Sequence, residues 1–291
     1  MEINDLVYRL VVYFVAFAIV FFCSSDTVLV LFIYMGQAHS ILAYWYKFER
    51  INSLTRTPFF WLWLFSICAF LALAASHVVL YKFWLIFTAL LFVAHFIVDE
   101  ITLSGRKLSF SMIPLFIGPI VLFSLQIWQF ISKHILNQEV LIMYAVLTFF
   151  CTMLTVWFPK VENKKDFFSV YALILAGISS SVILLSGSVS IGHALGFIVL
   201  SHYFIWYFFY FFKLKKFQVG LQTYLVRVIV LNAAMFAIWF LTSRGFMIPF
   251  HKYFFSEVFF YIWTCIHIIF SFIPKDISFT ILKRHYRVSG Q

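Results

Sequence analysis

The chain has 291 residues, of which 64% are hydrophobic, 22% aromatic and only 11% charged, whereas soluble domains carry about a quarter charged residues. Together with a mean hydropathy of +1.00, these values exclude a soluble globular protein. The formal net charge of +10 would suggest a nucleic-acid partner in a soluble chain. In a membrane protein it reports topology instead, because cytoplasmic loops hold excess Lys and Arg.

The apolar residues arrive in blocks of about 18 to 22, the length that crosses a hydrocarbon core. In chain order the blocks predict helices over 6–23, 27–46, 58–77, 81–100, 109–131, 139–158, 167–186, 191–212, 222–242 and 254–273. No block alternates with period two as a membrane barrel does, and lipid offers backbone groups no water. The expected architecture is therefore all-α, a polytopic transmembrane bundle of about ten spans forming one integral membrane domain over 1–291. The first block follows Glu2, Asp5 and Arg9 without a small-residue cleavage site and reads as a retained helix. Cys23, Cys68, Cys151 and Cys265 are widely spaced with no CxxC, which indicates neither a disulfide framework nor a zinc site.

The breaks after even-numbered blocks and the tail hold fifteen cations: Lys47, Arg50, Arg56, Arg106, Lys107, Lys160, Lys164, Lys165, Lys213, Lys215, Lys216, Lys275, Lys283, Arg284 and Arg287. Arg9 and Arg227 are expected to snorkel to the same face, while Lys82, Lys133, Arg244 and Lys252 lie at the other. The asymmetry predicts both termini in the cytoplasm. No break is long enough to house a soluble domain, so a functional site has to lie between helices.

Ionisable groups inside a span are costly and mark candidate sites. Four histidines meet that condition: His39, His95, His202 and His267, in the second, fourth, eighth and tenth blocks. The first following cations, Lys47, Arg106, Lys213 and Lys275, are 8, 11, 11 and 8 residues on. At 1.5 Å per residue this is about 12–17 Å, so the four imidazoles are expected at one depth in the cytoplasmic half. Taken singly, a buried histidine is an interhelical hydrogen bond; four at one depth suggest a shared iron, copper or zinc site. His77, His134, His193, His251 and His285 fall at block ends or in loops.

One turn after His95 lies Asp99, followed by Glu100. Either carboxylate could orient a ligating histidine or supply an oxygen ligand, or both could mark the membrane boundary. Gln37, two residues before His39, could donate to a bound oxygen or another ligand. Glu257, Gln126 and Gln129 read as boundary or packing groups. The nine histidines contain no HxxxH or HxxHH cluster, no lysine falls within a span as a retinal Schiff base would need, and no P-loop is present.

This layout resembles the Brp/Blh family of bacterial membrane β-carotene 15,15′-dioxygenases. The segment Gln37-Ala38-His39-Ser40-Ile41-Leu42 is similar to the family's Pro-His-Gly-Ala-Leu-Asp-like segment. His95-Phe96-Ile97-Val98-Asp99-Glu100 is similar to its His-Phe-Gly-x-x-Asp segment, with Glu100 at the Asp position. His202-Tyr203-Phe204-Ile205-Trp206-Tyr207 is similar to its His-x-x-x-His-Phe segment, with Trp206 at the second histidine, and Ile266-His267 to its C-terminal Pro-His. Separations of 56 residues from His39 to His95 and 107 from His95 to His202 are close to the family's own.

The resemblance implies an iron-dependent oxygenase that uses O2 on a membrane-dissolved substrate such as a carotenoid or another polyene. His39, His95, His202 and His267 would serve as Fe2+ ligands, and Asp99, Glu100 or Gln37 would orient or supplement them. Trp206 and Tyr207 would line the substrate pocket. Expected partners are membrane lipids and the hydrophobic substrate, with neither nucleic acid nor a soluble protein, and the expected location is the bacterial inner membrane. The reading from a different class is a non-enzymatic metal- or haem-binding membrane protein or transporter. Discontinuous helices would favour transport, and only Pro114 and Pro119 fall within a block.

Overall fold

The computed structural model describes residues 3–51, 61, 64–66, 68–69, 72, 78–103, 116–132, 137–157, 167–185, 191–217 and 220–271. Among these the chain is helical, without a strand: α1 Ile3–Phe22, α2 Ser25–Ile51, α3 Val78–Leu103, α4 Ile117–Ser132, α5 Gln138–Trp157, α6 Phe167–Leu185, α7 Ile191–Phe217, α8 Leu221–Ser243, α9 His251–Phe254 and α10 Glu257–Ser271. Most of the expected block 58–77 lies outside the described residues. So do the start of block 109–131, His77, His134, His285, Pro114 and the cations Arg56, Arg106, Lys107, Lys133, Lys160, Lys164, Lys165, Lys275, Lys283, Arg284 and Arg287.

Among the described residues, three helices are long and apolar enough to cross a membrane, over Ser25–Trp45, Gly196–Lys216 and Leu221–Ser243. Only 6% of the α8 window is buried, and Val226, Ile229, Val230 and Phe240 on it are exposed, a surface compatible with a hydrocarbon surround. Leu6–Phe22, Ile117–Gln129, Gln138–Leu154 and Val170–Leu185 are shorter apolar segments.

The helix starts explain why the polar breaks were legible. Ser24 Oγ accepts the Thr27 N–H at 3.3 Å ahead of α2, and Asn137 Oδ1 accepts the Val140 N–H at 3.0 Å ahead of α5. Each satisfies an amide that the first turn leaves open. Hydroxyls within the apolar runs are absorbed locally: Thr148, Thr152 and Ser201 donate to the carbonyls of Tyr144, Thr148 and Phe197. Pro119 sits in the first turn of α4, where its missing N–H costs nothing.

One boundary differs from expectation. The helix expected over 254–273 starts at Glu257, after a separate turn, α9, that ends at Phe254. Phe250 takes a left-handed conformation at φ 67°, and Ser256 Oγ accepts the Phe259 N–H at 3.2 Å, so a new helix is capped where apolarity alone suggested continuation. Before it, α8 closes with Phe246 N–H donating to the Leu241 carbonyl and Gly245 N–H to the Thr242 carbonyl, around Gly245 at φ 86°. That pair of bonds favours glycine because a Cβ is penalised at positive φ. Gly245→Ala is expected to lower stability by about 1 kcal/mol, read as a reduced thermal unfolding midpoint in detergent.

The described chain divides into two compact units, Met1–Ala38 with Phe96–Ile248, and His39–His95 with Pro249–Gln291; the divisions fall inside α2 and α3. In the first unit α1 packs on α6 and α7, α4 on α5, α6 and α7, α5 on α6, and α7 on α8. Small residues set the close approaches. A Cβ on Gly196 of α7 would collide with Val28 Cγ1, and one on Gly118 of α4 would come within 3.0 Å of the Ala176 Cα of α6. The second unit contains the first part of α3 and the short turn α9 packed on α10.

Candidate metal centre

In the second unit, three histidines from three helices meet. His39 of α2 and His267 of α10 have ring centroids 5.1 Å apart, and His95 of α3 lies 5.5 Å from His267, all edge to face. Their exposures are 6%, 7% and 1%, so none is a surface residue. Nitrogens of His39 and His267 approach within 4.8 Å. Imidazoles bound to one ion at about 2.0–2.1 Å would place their centroids roughly 5 Å apart, so the His39–His267 separation fits a shared ion.

Aromatic and polar contacts hold this cluster. Tyr44, five residues after His39, packs at a tilt on Trp263, with ring centroids 4.5 Å apart, and donates its hydroxyl to the Trp263 carbonyl at 3.2 Å. Trp263 is one helical turn before His267, and the Tyr44 ring also meets the His267 imidazole edge to face at 6.0 Å. Phe92 covers His95 from one turn upstream, at 6.4 Å. Two turns before His95, Thr88 Oγ1 and Cys265 Sγ lie 3.1 Å apart, a second contact between α3 and α10. Tyr44 and Trp263 carried no signal in the sequence, where they are two aromatics among many.

The other residues singled out in the sequence belong to the first unit. His202 of α7 is 3% exposed and is surrounded by Phe96, Tyr203 and Trp206, with centroids at 6.5, 6.0 and 6.3 Å. Asp99 is buried and accepts a hydrogen bond from Trp206 Nε1 at 2.9 Å. It also offers an oxygen within 4.8 Å of a His202 ring nitrogen. Gln37 is fully buried in α2. Tyr207 turns to α8, where Asn232 Nδ2 donates to its hydroxyl at 3.3 Å and Tyr224 donates to its carbonyl at 3.2 Å.

Glu100 is committed elsewhere. Its Oε2 pairs with Arg9 Nη1 and accepts the Tyr171 hydroxyl at 3.0 Å. Tyr171 in turn packs on Tyr13, which reaches Phe197. Arg9 therefore does not snorkel: it has 0% exposure and its guanidinium lies over the Tyr171 and Tyr8 rings at 5.7 and 5.9 Å. A buried carboxylate on α3 attracts the cation more strongly than a polar interface does, because the acid would otherwise be stranded in an apolar medium. The signal available in the sequence was a lone cation seven residues into a helical run, which marks a partnered charge as well as a boundary one.

Fold and site together define a class: a protein helical throughout its described residues, with helices long and apolar enough to cross a membrane and a buried cluster of imidazoles. No family model, curated protein or solved structure matches the chain.

Proposed function

We propose that this is an integral membrane oxygenase that uses histidine-held iron and O2 on a lipophilic substrate, a carotenoid or another polyene. The observation that carries the reading is the buried meeting of His39, His95 and His267, with nitrogens of His39 and His267 within 4.8 Å of each other. Three neutral imidazoles are a donor set for iron, copper or zinc and leave coordination positions open. The likeness to the Brp/Blh family favours iron among these, and the sequence reading adds His202 as a fourth ligand. Iron bound there would supply the chemistry of dioxygen.

The chain's own residues then have definable roles. Tyr44 and Trp263 hold the His267 turn, Phe92 covers His95, and the aromatic surroundings exclude water and favour an apolar substrate entering from lipid. About ten spans with both termini in the cytoplasm, in a bacterial inner membrane, complete this reading through the distribution of Lys and Arg. Partners would be membrane lipids and the substrate.

Anaerobic purification with iron available, followed by elemental analysis, tests the reading. About one metal per chain is expected, falling severalfold in His39→Ala, His95→Ala and His267→Ala variants that remain folded. His202→Ala tests the fourth ligand in the same assay. Bleaching of a carotene-producing host by the wild-type chain and not by His95→Ala would give the activity. A folded wild-type protein without stoichiometric metal would sink the proposal and leave the histidines as helix-pairing groups.

A further inference from the structure

Trp263 stands one helical turn before His267 on the same side of α10, in the unit that also holds His39 and His95. Two rings pack on its indole: Phe259, stacked with centroids 6.0 Å apart, and Tyr44, tilted at 4.5 Å. The Tyr44 ring also meets the His267 imidazole at 6.0 Å, so indole and imidazole adjoin one aromatic surface. The Trp263 carbonyl is bonded, accepting the Tyr44 hydroxyl at 3.2 Å. The indole Nε1 is buried and makes no hydrogen bond among the described residues. An indole nitrogen is a donor only, and a buried one ordinarily finds an acceptor, because an N–H held among apolar groups forfeits the bond it had with water.

We propose that Trp263 is a specificity-determining residue whose indole N–H anchors an uncharged oxygen of the lipophilic substrate, which makes the substrate class an oxygenated polyene, bearing a hydroxyl or carbonyl, rather than a pure hydrocarbon. The inference rests on the oxygenase reading above and uses residues of one unit only. The rings against the indole carry no charge, so a neutral oxygen matches its single donor, whereas a carboxylate would arrive without a counter-charge. A hydrocarbon would cover the donor and offer it no acceptor, and a site with a buried donor discriminates against the analogue that lacks the oxygen. The helix sets the spacing: four residues at 1.5 Å each put Trp263 about 6 Å along α10 from His267. A conjugated chain held by its oxygen at Trp263 reaches the level of the imidazoles within a few bonds.

The test titrates the full-length detergent-purified protein with β-carotene and with zeaxanthin, which share one polyene and differ by a hydroxyl on each end ring, and reads binding from the shift in pigment absorbance. The wild-type chain is expected to bind zeaxanthin about tenfold more tightly. Trp263→Phe keeps a ring, loses the donor and is expected to bring the two affinities to within about twofold by weakening zeaxanthin alone. Equal affinities in the wild type overturn the anchor and leave the polyene reading standing, as does a preference that survives Trp263→Phe. An equal loss for both pigments also overturns the anchor, since packing accounts for it. If Trp263→Phe fails to fold, benzothienylalanine at 263, an indole-shaped ring with sulfur in place of the N–H, decides by the same comparison. Binding of neither pigment to the wild-type chain overturns the polyene reading first and the anchor with it.

Discussion

Replacing Arg9 or Glu100 singly by Leu is expected to destabilise the protein by about 3–5 kcal/mol, while the double variant Arg9→Leu/Glu100→Leu returns to within about 1–3 kcal/mol of wild type. Each single change strands the other charge among Tyr13, Tyr171 and the helix walls, where no water compensates it. Removing both charges removes the desolvation cost with the attraction. Arg9 Nε and Nη2 make no hydrogen bond among the described residues, so the double variant sacrifices one ion pair and one acceptor for Tyr171. Adding Tyr171→Phe should recover part of the remainder. Equilibrium unfolding in mixed micelles measures all of these. Singles that cost no more than the double would mean that the two charges do not depend on each other.

The second large effect is expected at Gly118. A valine there is expected to cost about 1–3 kcal/mol, because its Cβ would stand 3.0 Å from the Ala176 Cα and 3.0 Å from Ser179 Oγ. The Ala176 contact is with backbone and cannot be relieved by rotating a side chain, so α4 and α6 must separate. Gly177, one residue after Ala176, provides the control: a Cβ there meets nothing within 4 Å, and Gly177→Ala is expected to be neutral or to gain up to about 1 kcal/mol through helix propensity. Thermal unfolding of the two variants side by side checks the contrast. Equal losses would place the effect of Gly118 in the backbone of α4 rather than in its approach to α6.

Much of the helical layout was legible because lipid-compatible runs end where polar residues can cap them. Ser24 and Asn137 stand at breaks seen in the sequence and satisfy the amides of α2 and α5 in the fold. The start of α10 was not legible, since the left-handed Phe250 is apolar and carries no glycine signal. In the candidate site, the four histidines and Asp99 stood out by their cost in an apolar run, and three of the imidazoles are neighbours in one unit. Their supports, Tyr44 and Trp263, did not stand out, because an aromatic in a chain with 22% aromatics carries almost no information.

The contrast between Asp99 and Glu100 marks the boundary most clearly. Sequence alone determined that they lie about 100° apart around one helix, and left open whether they orient or supply a ligand or mark the membrane boundary. Which partner each took depended on residues 107 and 91 positions away, Trp206 and Arg9, and on which helices face α3. Apolar length and polar cost are local properties of the chain and can be read in one dimension. Pairing is a property of helix azimuth and packing, which many sequence positions set together, so the commitment of Glu100 to Arg9 and of Asp99 to Trp206 was decided only in the tertiary structure.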